Sequence, residues 1–395
     1  MDLVHLADLN LPNDFENYDG ANPRARVILS GNTLYGTTSE GGQDGYGNVF
    51  SVNTETLVLN AIHVFNNADN GGITPEAAVV LAGNTLYGTA TYGGANSYGT
   101  VFSLNTESLH FAILHTFTGG KDGAFPFGDL IVSGNTLYGA ANGGGTFGYG
   151  TVFSLSTNGS NFASLYSFTG GSDGAFPPQG GLLLWSNTLY GAAAFGGSNG
   201  IGTNGFGTVF SVNTNGSNFT RLYSFTGGPD GAYPGASLII SDQTLYGTAF
   251  SGGAAGNGTI YRLGLGTHAS NFTMLYSFTS KNNTAGTNSD GAYPQPGLVL
   301  SQNMLYGAAR EGGGNGYGTE FALPLPALGP APIPLNIQLI GGSVLLSWND
   351  PASAFFLQSA PTLTGVFTNI PGATPPYTNV ITGTQQFFRL MANSS

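Results

Sequence analysis

Few residues in this chain can do chemistry: 8 Lys plus Arg, 20 Asp plus Glu, 5 His and no Cys among 395 residues. The lack of Cys removes thiol catalysis, thiolate metal sites and disulfides together. Among the carboxylates, Glu40 and Glu311 hold the same place in a repeated pattern described below, and Arg310 precedes Glu311. Paired carboxylates can serve as acid and base on a glycosidic bond. Glu40, Glu311 and Arg310 are therefore the residues a carbohydrate-active hydrolase or lyase would use. Arg24 and Arg26 are expected near the same junction. The plainer reading is a solvated, salt-bridged junction, and no catalytic residue is assigned. His5, His63 and His115 stand where other copies of the pattern carry Tyr166, Tyr223 and Tyr276, an exchange that suits an amphipathic filler on an outer strand. His110 and His268 fall in short hairpins on different copies, so no metal cluster is expected.

A second chemistry is stacking. An Asp-Gly-Ala-x-Pro element recurs, with x being Phe125, Phe176, Tyr233 or Tyr293 in four copies and Asn22 or Thr74 in the first two. Five residues after a recurring Leu-Tyr-Gly tyrosine the chain reads Glu40, Tyr92, Gly143, Phe195, Ser251 and Glu311. The rings of Tyr92, Phe125, Phe176, Phe195, Tyr233 and Tyr293 are candidates for stacking on a glycan, against the structural alternative of wedging between blades. The Asp of the element suits an Asx-turn ahead of its Gly. A structural calcium is the one cofactor left open there, although the dense acidic run of a calcium loop is missing.

What positions these residues is the repeat itself. The Leu-Tyr-Gly tyrosines are Tyr35, Tyr87, Tyr138, Tyr190, Tyr246 and Tyr306, spaced 52, 51, 52, 56 and 60 residues apart. A period near 50 signals a propeller or array. Each copy divides into four β-prone runs, in the third DLIVS (129–133), TLYGAA (136–141), GTVFSLS (150–156) and FASLYSF (162–168). Tight turns join the first pair and the last pair, whereas the other connections are long and Gly-rich. Four antiparallel strands per period match one propeller blade. The sixth copy supplies only three, at 297–301, 304–309 and 318–323, while LVHLADL (3–9) aligns with ILHTFTG (113–119). The expected fold is all-β: a six-bladed propeller over 1–323 closed by this N-terminal strand. The two long loop types then share one upper face, enlarged by insertions at Ser198–Gly205 and Lys281–Ser289. A Pro-rich linker follows at 324–334, and alternating runs over 335–395 with Trp348, Phe355, Phe356, Phe387 and Phe388 suggest a small β-sandwich.

The repeat resembles the Gloeo-Verruco (GloVer) tandem repeat of bacterial surface proteins. The resemblance rests on Asn-Thr-Leu-Tyr-Gly (Asn32–Gly36, Asn84–Gly88, Asn135–Gly139), the Gly-Gly that follows, and Tyr-Gly-Thr-Val-Phe. The tail, with SVLLSWNDPASAFFLQSA and QQFFRL, is similar to a C-terminal β-module of Verrucomicrobia-type extracellular proteins. The resemblance implies an exported bacterial protein, extracellular or on the cell surface, and no assigned catalytic residues. The opening MDLVHLADLN lacks a basic start and a long apolar run, so no signal peptide is expected there.

Composition excludes other classes. A net charge of −12 argues against a nucleic-acid partner, and no apolar run reaches the roughly 18 residues of a membrane span. The 65 Gly and 20 Pro do not mean disorder, since 41% of residues are apolar and 12% aromatic. The favoured function is non-catalytic binding of glycan or a surface protein through the upper face. The alternatives are the Glu40/Glu311/Arg310 enzyme and a self-associating structural protein, whose sparse charges repel little.

Overall fold

A computed structural model describes residues 19–395 apart from 67, 69, 178–179, 199, 201, 266–271, 283–284, 296, 326–332, 351–352, 354, 363–366, 381–384 and 393–395. The chain forms two compact units, Met1–Leu323 and Pro324–Ser395. Among the described residues the only helical turn is Gly202–Asn204, and no helix is long and apolar enough to cross a membrane.

Five repeats fold as four-stranded antiparallel sheets whose strands lie in chain order. In the third repeat the strands are Ile131–Ser133, Thr136–Ala141, Thr151–Ser156 and Ala163–Ser167. The Gly134-Asn135 turn fixes the first register, with Ser133 opposite Thr136. The register between third and fourth strands shifts in all five sheets, here between Val152 and Phe153. Such a bulge adds local twist. The sixth repeat supplies Val299–Ser301, Met304–Glu311 and Thr319–Pro324. Among the described residues its last strand pairs only with the strand before it. The outer strand expected at 3–9 lies outside the described residues, as do His5, His268 and most of the expected linker.

The third strand shows where the core lies. Successive side chains of a strand point to opposite faces, yet Val152 and Phe153 are both fully buried. Val152 packs with Leu189 and Phe210 of the fourth repeat, while Phe153 packs with Val101 and Phe117 of the second. The same arrangement joins Val49 to Phe102 and Val209 to Tyr261. These cores therefore lie between repeats. A buried Phe that ends each outer strand seals the junction edge-on: Phe65 on Phe102, Phe117 on Phe153, Phe168 on Phe210, Phe225 on Tyr261 and Phe278 on Phe321, with centroids 5.1–5.4 Å apart. The Leu-Tyr-Gly glycine belongs to this packing. A Cβ on Gly139 would stand 2.5 Å from the tip of the Phe153 ring, inside van der Waals contact.

The second unit contains two three-stranded antiparallel sheets, one from Asn336–Ile340, Ser343–Ser347 and Tyr377–Val380, the other from Phe355–Ala360, Thr368–Asn369 and Phe387–Ala392. Leu346, Trp348 and Leu357 form their common core with Tyr377, Phe388 and Leu390 packed against it.

One residue departs from the repeat at the core. Tyr261 stands where the other repeats carry Phe, and its hydroxyl is buried with no hydrogen-bond partner among the described residues. Burial alone pushes this phenol far above its ordinary pKa. A buried hydroxyl without a partner costs about 1–3 kcal/mol. Tyr261→Phe is expected to stabilise the protein by about 1 kcal/mol, read as a higher Tm by calorimetry; an unchanged or lower Tm would refute it.

Candidate functional site

The two long loops of each repeat meet at one edge of its sheet. Ala124 donates its N–H to the Gly143 carbonyl at 2.8 Å, and Gly143 donates back to Ala124 at 2.9 Å. Equivalent pairs are Ala21–Glu40, Ile73–Tyr92, Ala175–Phe195, Ala232–Ser251 and Ala292–Glu311. The next residue, x of Asp-Gly-Ala-x-Pro, has a left-handed backbone in every repeat, with φ between +55° and +59° at Asn22, Thr74, Phe125, Phe176, Tyr233 and Tyr293. That conformation is uncommon for non-Gly residues and is held here by a neighbour. It turns the N–H toward the preceding repeat: Thr74 donates to Tyr46, Phe125 to Tyr98, Phe176 to Tyr149, Tyr233 to Phe206 and Tyr293 to Asn257, all at 2.8–2.9 Å. The following Pro fills the space a side chain would need at the neighbour's Tyr-Gly-Thr glycine. A Cβ on Gly150 would lie 2.5 Å from Cδ of Pro177.

This backbone lock places the candidate rings. Phe125 sits between Tyr92 and Tyr98, with centroids 5.5 and 5.6 Å away. Phe176 contacts Tyr149 at 5.6 Å and Phe195 at 5.9 Å. Phe195 also meets Tyr233 at 5.1 Å, and Tyr293 stacks on Phe250 at 5.0 Å. Phe125, Phe176, Phe195, Tyr233 and Tyr293 are half-buried at junctions between repeats. Tyr92 differs, being 41% exposed while braced by Phe125 and, edge-on at 6.1 Å, by Phe127. Sequence reasoning passed over Phe127; its signal is a ring directly after Pro126 where the other repeats carry Arg24, Glu76, Pro178, Gly235 and Gln295.

The Asp of the element does something other than close a turn ahead of itself. Asp173 reaches back to Thr169, accepting its N–H at 2.8 Å and its hydroxyl at 2.5 Å, and accepts Tyr166 Oη at 2.9 Å. Asp230 does the same with Tyr223 and Thr226, and Asp290 with Tyr276 and Thr279. Each carboxylate therefore ties the preceding outer strand to its own loop, and its oxygens are occupied by protein donors. On the outer strand of the second repeat His115 Nε2 takes the tyrosine's part, 3.2 Å from Asp122. The His–Tyr exchange thus preserves a polar contact, which the filler reading lacked. Both residue types also stack on the next outer strand, His115 on Phe162 at 3.8 Å and Tyr166 on Phe219 at 3.6 Å. Burial, then the Asp partner, raises the Tyr166, Tyr223 and Tyr276 phenols above their ordinary value. No group of three His, Asp or Glu able to hold a metal occurs among the described residues.

The charged residues are arranged differently from the expected junction. Arg24 pairs with Glu76 at 2.7 Å and Arg26 with Asp129 at 3.0 Å, so both arginines face the second and third repeats. Asp129 also accepts the Ala78 N–H at 2.8 Å. Glu311 pairs with Lys281 of the second insertion at 2.8 Å, and Lys281 lies 4.3 Å over the Tyr293 ring. The Lys281 bond, with help from the charges of Lys281 and Arg310, holds the Glu311 carboxyl below its ordinary range. Among the described residues no hydrogen bond or ion pair joins Glu40 to Glu311 or Arg310.

These features define a tandem-repeat protein of propeller-type, four-stranded blades interlocked by backbone. The chain belongs to the Gloeobacter/Verrucomicrobia repeat family, whose pattern it matches over residues 7–204 and 178–328. No curated protein matches the sequence. Among solved structures, the Niastella koreensis GH74 enzyme (NkGH74) is similar with a TM-score of 0.52 at 15% identity, covering 86% of this chain and 52% of that one. The chain thus spans about half the length of NkGH74, and the likeness speaks to fold alone. A putative 6-phosphogluconolactonase from Bacteroides uniformis scores 0.42 at 15% identity over 90% of this chain and 98% of that one. The nidogen/laminin complex scores 0.38 at 11% identity over 66% and 82%. These lower scores add nothing to the fold argument.

The His115–Asp122 contact carries a pH signature. Burial holds His115 below the ordinary imidazole value despite the pull of Asp122. The unfolded chain therefore binds this proton more tightly, and its contribution to stability, complete above about pH 6.5, is lost as pH falls toward the folded value. His115→Tyr is expected to flatten the fall in Tm between pH 6.5 and 5, and an identical pH profile would overturn this account.

Proposed function

We propose that the six repeats close into a six-bladed ring, with residues 3–9 supplying the outer strand of the sixth, and that the exported protein binds glycan through its long-loop face. The observation that carries the binding reading is Tyr92: a ring 41% exposed yet fixed by Phe125 and Phe127. A pyranose presents an apolar C–H face and a rim of hydroxyls. The open face of a braced aromatic suits the first at little entropic cost. The second is met by hydrogen-bond donors and acceptors, and Arg24, whose side chain is 57% exposed while held by Glu76, supplies donors beside it. Glu76 is also 3.4 Å from the hydroxyl of Thr91, the residue before Tyr92. The half-buried ring of Phe125 supports this platform, while Phe176, Phe195, Tyr233 and Tyr293 offer ring edges at the other junctions of the same loop type. A position outside the cell, with glycan or a surface protein as partner, follows the family resemblance.

The hydrolase reading draws less support. A general acid must hold a proton at working pH, and the Lys281 pairing favours the ionised form of Glu311, which leaves the acid's part to Glu40 alone. Tyr92→Ala is expected to reduce binding on a glycan array at least tenfold with a smaller change in Tm than truncating a buried junction Phe, because the residue is 41% exposed. Undiminished binding would sink the assignment. Polysaccharide cleavage abolished by Glu40→Gln with Glu311→Gln would favour the enzyme instead.

A further inference from the structure

In each complete sheet the third strand presents an aliphatic side chain directly opposite a His or Tyr of the outer strand. The pairs are Val49–His63, Val101–His115, Val152–Tyr166, Val209–Tyr223 and Ile260–Tyr276, and every aliphatic member is buried, 0–1% exposed. In the sixth repeat the same position is Glu320, on the strand Thr319–Pro324 that has no outer neighbour among the described residues. Beside that edge runs a groove of about 260 Å³ lined by Ile260, Tyr276, Phe278, Asp290, Glu320 and Phe321. A carboxylate at a place that pairing buries is costly unless the arriving strand brings it a partner.

We propose that Glu320 pairs across the strands with His5, selecting the chain's own N-terminal strand, in one register, for the open edge of the sixth blade. This rests on the ring closure proposed above. The alignment of LVHLADL on ILHTFTG puts His5 in the place of His115, and therefore opposite Glu320 by the register of the other five sheets. Directly opposed residues hold their Cβ atoms about 4.5–5.5 Å apart, within reach of an imidazole and a carboxylate. Histidine suits this place better than tyrosine because it has two ring nitrogens. Asp19 stands where Asp122 stands beside His115, so one nitrogen can serve Asp19 and the other Glu320. A slip of one residue turns the strand's side chains to the wrong faces. A slip of two sets Leu3 or Ala7 against Glu320 and leaves its carboxylate unpaired. The five aliphatic positions accept any strand of suitable pattern; the acidic one discriminates.

The chain has no Cys, which allows a direct test in the full-length protein. His5→Cys with Glu320→Cys is expected to form a disulfide within one chain on mild oxidation, seen by non-reducing gel and peptide mass. Leu3→Cys with Glu320→Cys is expected to stay reduced. A link between two chains would overturn the choice of the chain's own strand in favour of exchange between copies. No link in either pair would overturn closure and pairing together. The pair has a separate readout in a melting cycle: His5→Ala is expected to lower Tm by several degrees in the native chain, and by less than half as much when Glu320 is replaced, Glu320→Val. Equal losses in the two backgrounds, alongside a formed cross-link, would refute the pair and leave closure standing.

Discussion

No sheet in the repeat unit can stand alone. The third strand buries Val152 against one neighbour and Phe153 against the other, so a single repeat would expose both faces of this strand. Truncating one such Phe costs about 3–5 kcal/mol, and each described junction has its own Phe or, once, Tyr261. Stability is therefore cooperative between nearest neighbours, as in other repeat arrays. Each polar device of the loops acts at those same junctions.

The devices divide the labour by type. The x-residue N–H and its Pro fix each repeat to the preceding one through backbone and shape. The Asp carboxylate fixes the preceding outer strand through a Thr and a Tyr or His. With Arg26, Ala78 and Asp129 the inner segments of three repeats are joined by one carboxylate. A chain with 28 charged residues spends several of them on joints, which leaves few for chemistry.

The strands were legible because Gly and Asn turns punctuate them and the period repeats six times, so errors in one copy are corrected by the others. The roles of single residues were harder to read. An Asx-turn rule looks forward from Asp173, whereas its bonds run backward to Thr169 and Tyr166. Arg24 and Arg26 stand in the chain beside the first repeat, yet their partners lie 52 and 103 residues away. Such distances depend on how inner segments cross between sheets, which periodicity does not encode. The brace on Tyr92 escaped notice because Phe127 matches nothing in the other copies, and comparison by repeat discards what is unique.

The left-handed x position has a consequence for how such proteins diversify. Its N–H donates to the neighbouring repeat whatever the side chain is, and Thr74, Phe125 and Tyr233 all serve with nearly the same φ. The scaffold thus behaves as a row of sockets with interchangeable tenants. A single codon change at one socket rewrites a patch of surface while the mortar between repeats stays intact. The surface is thereby free to vary where the architecture is not.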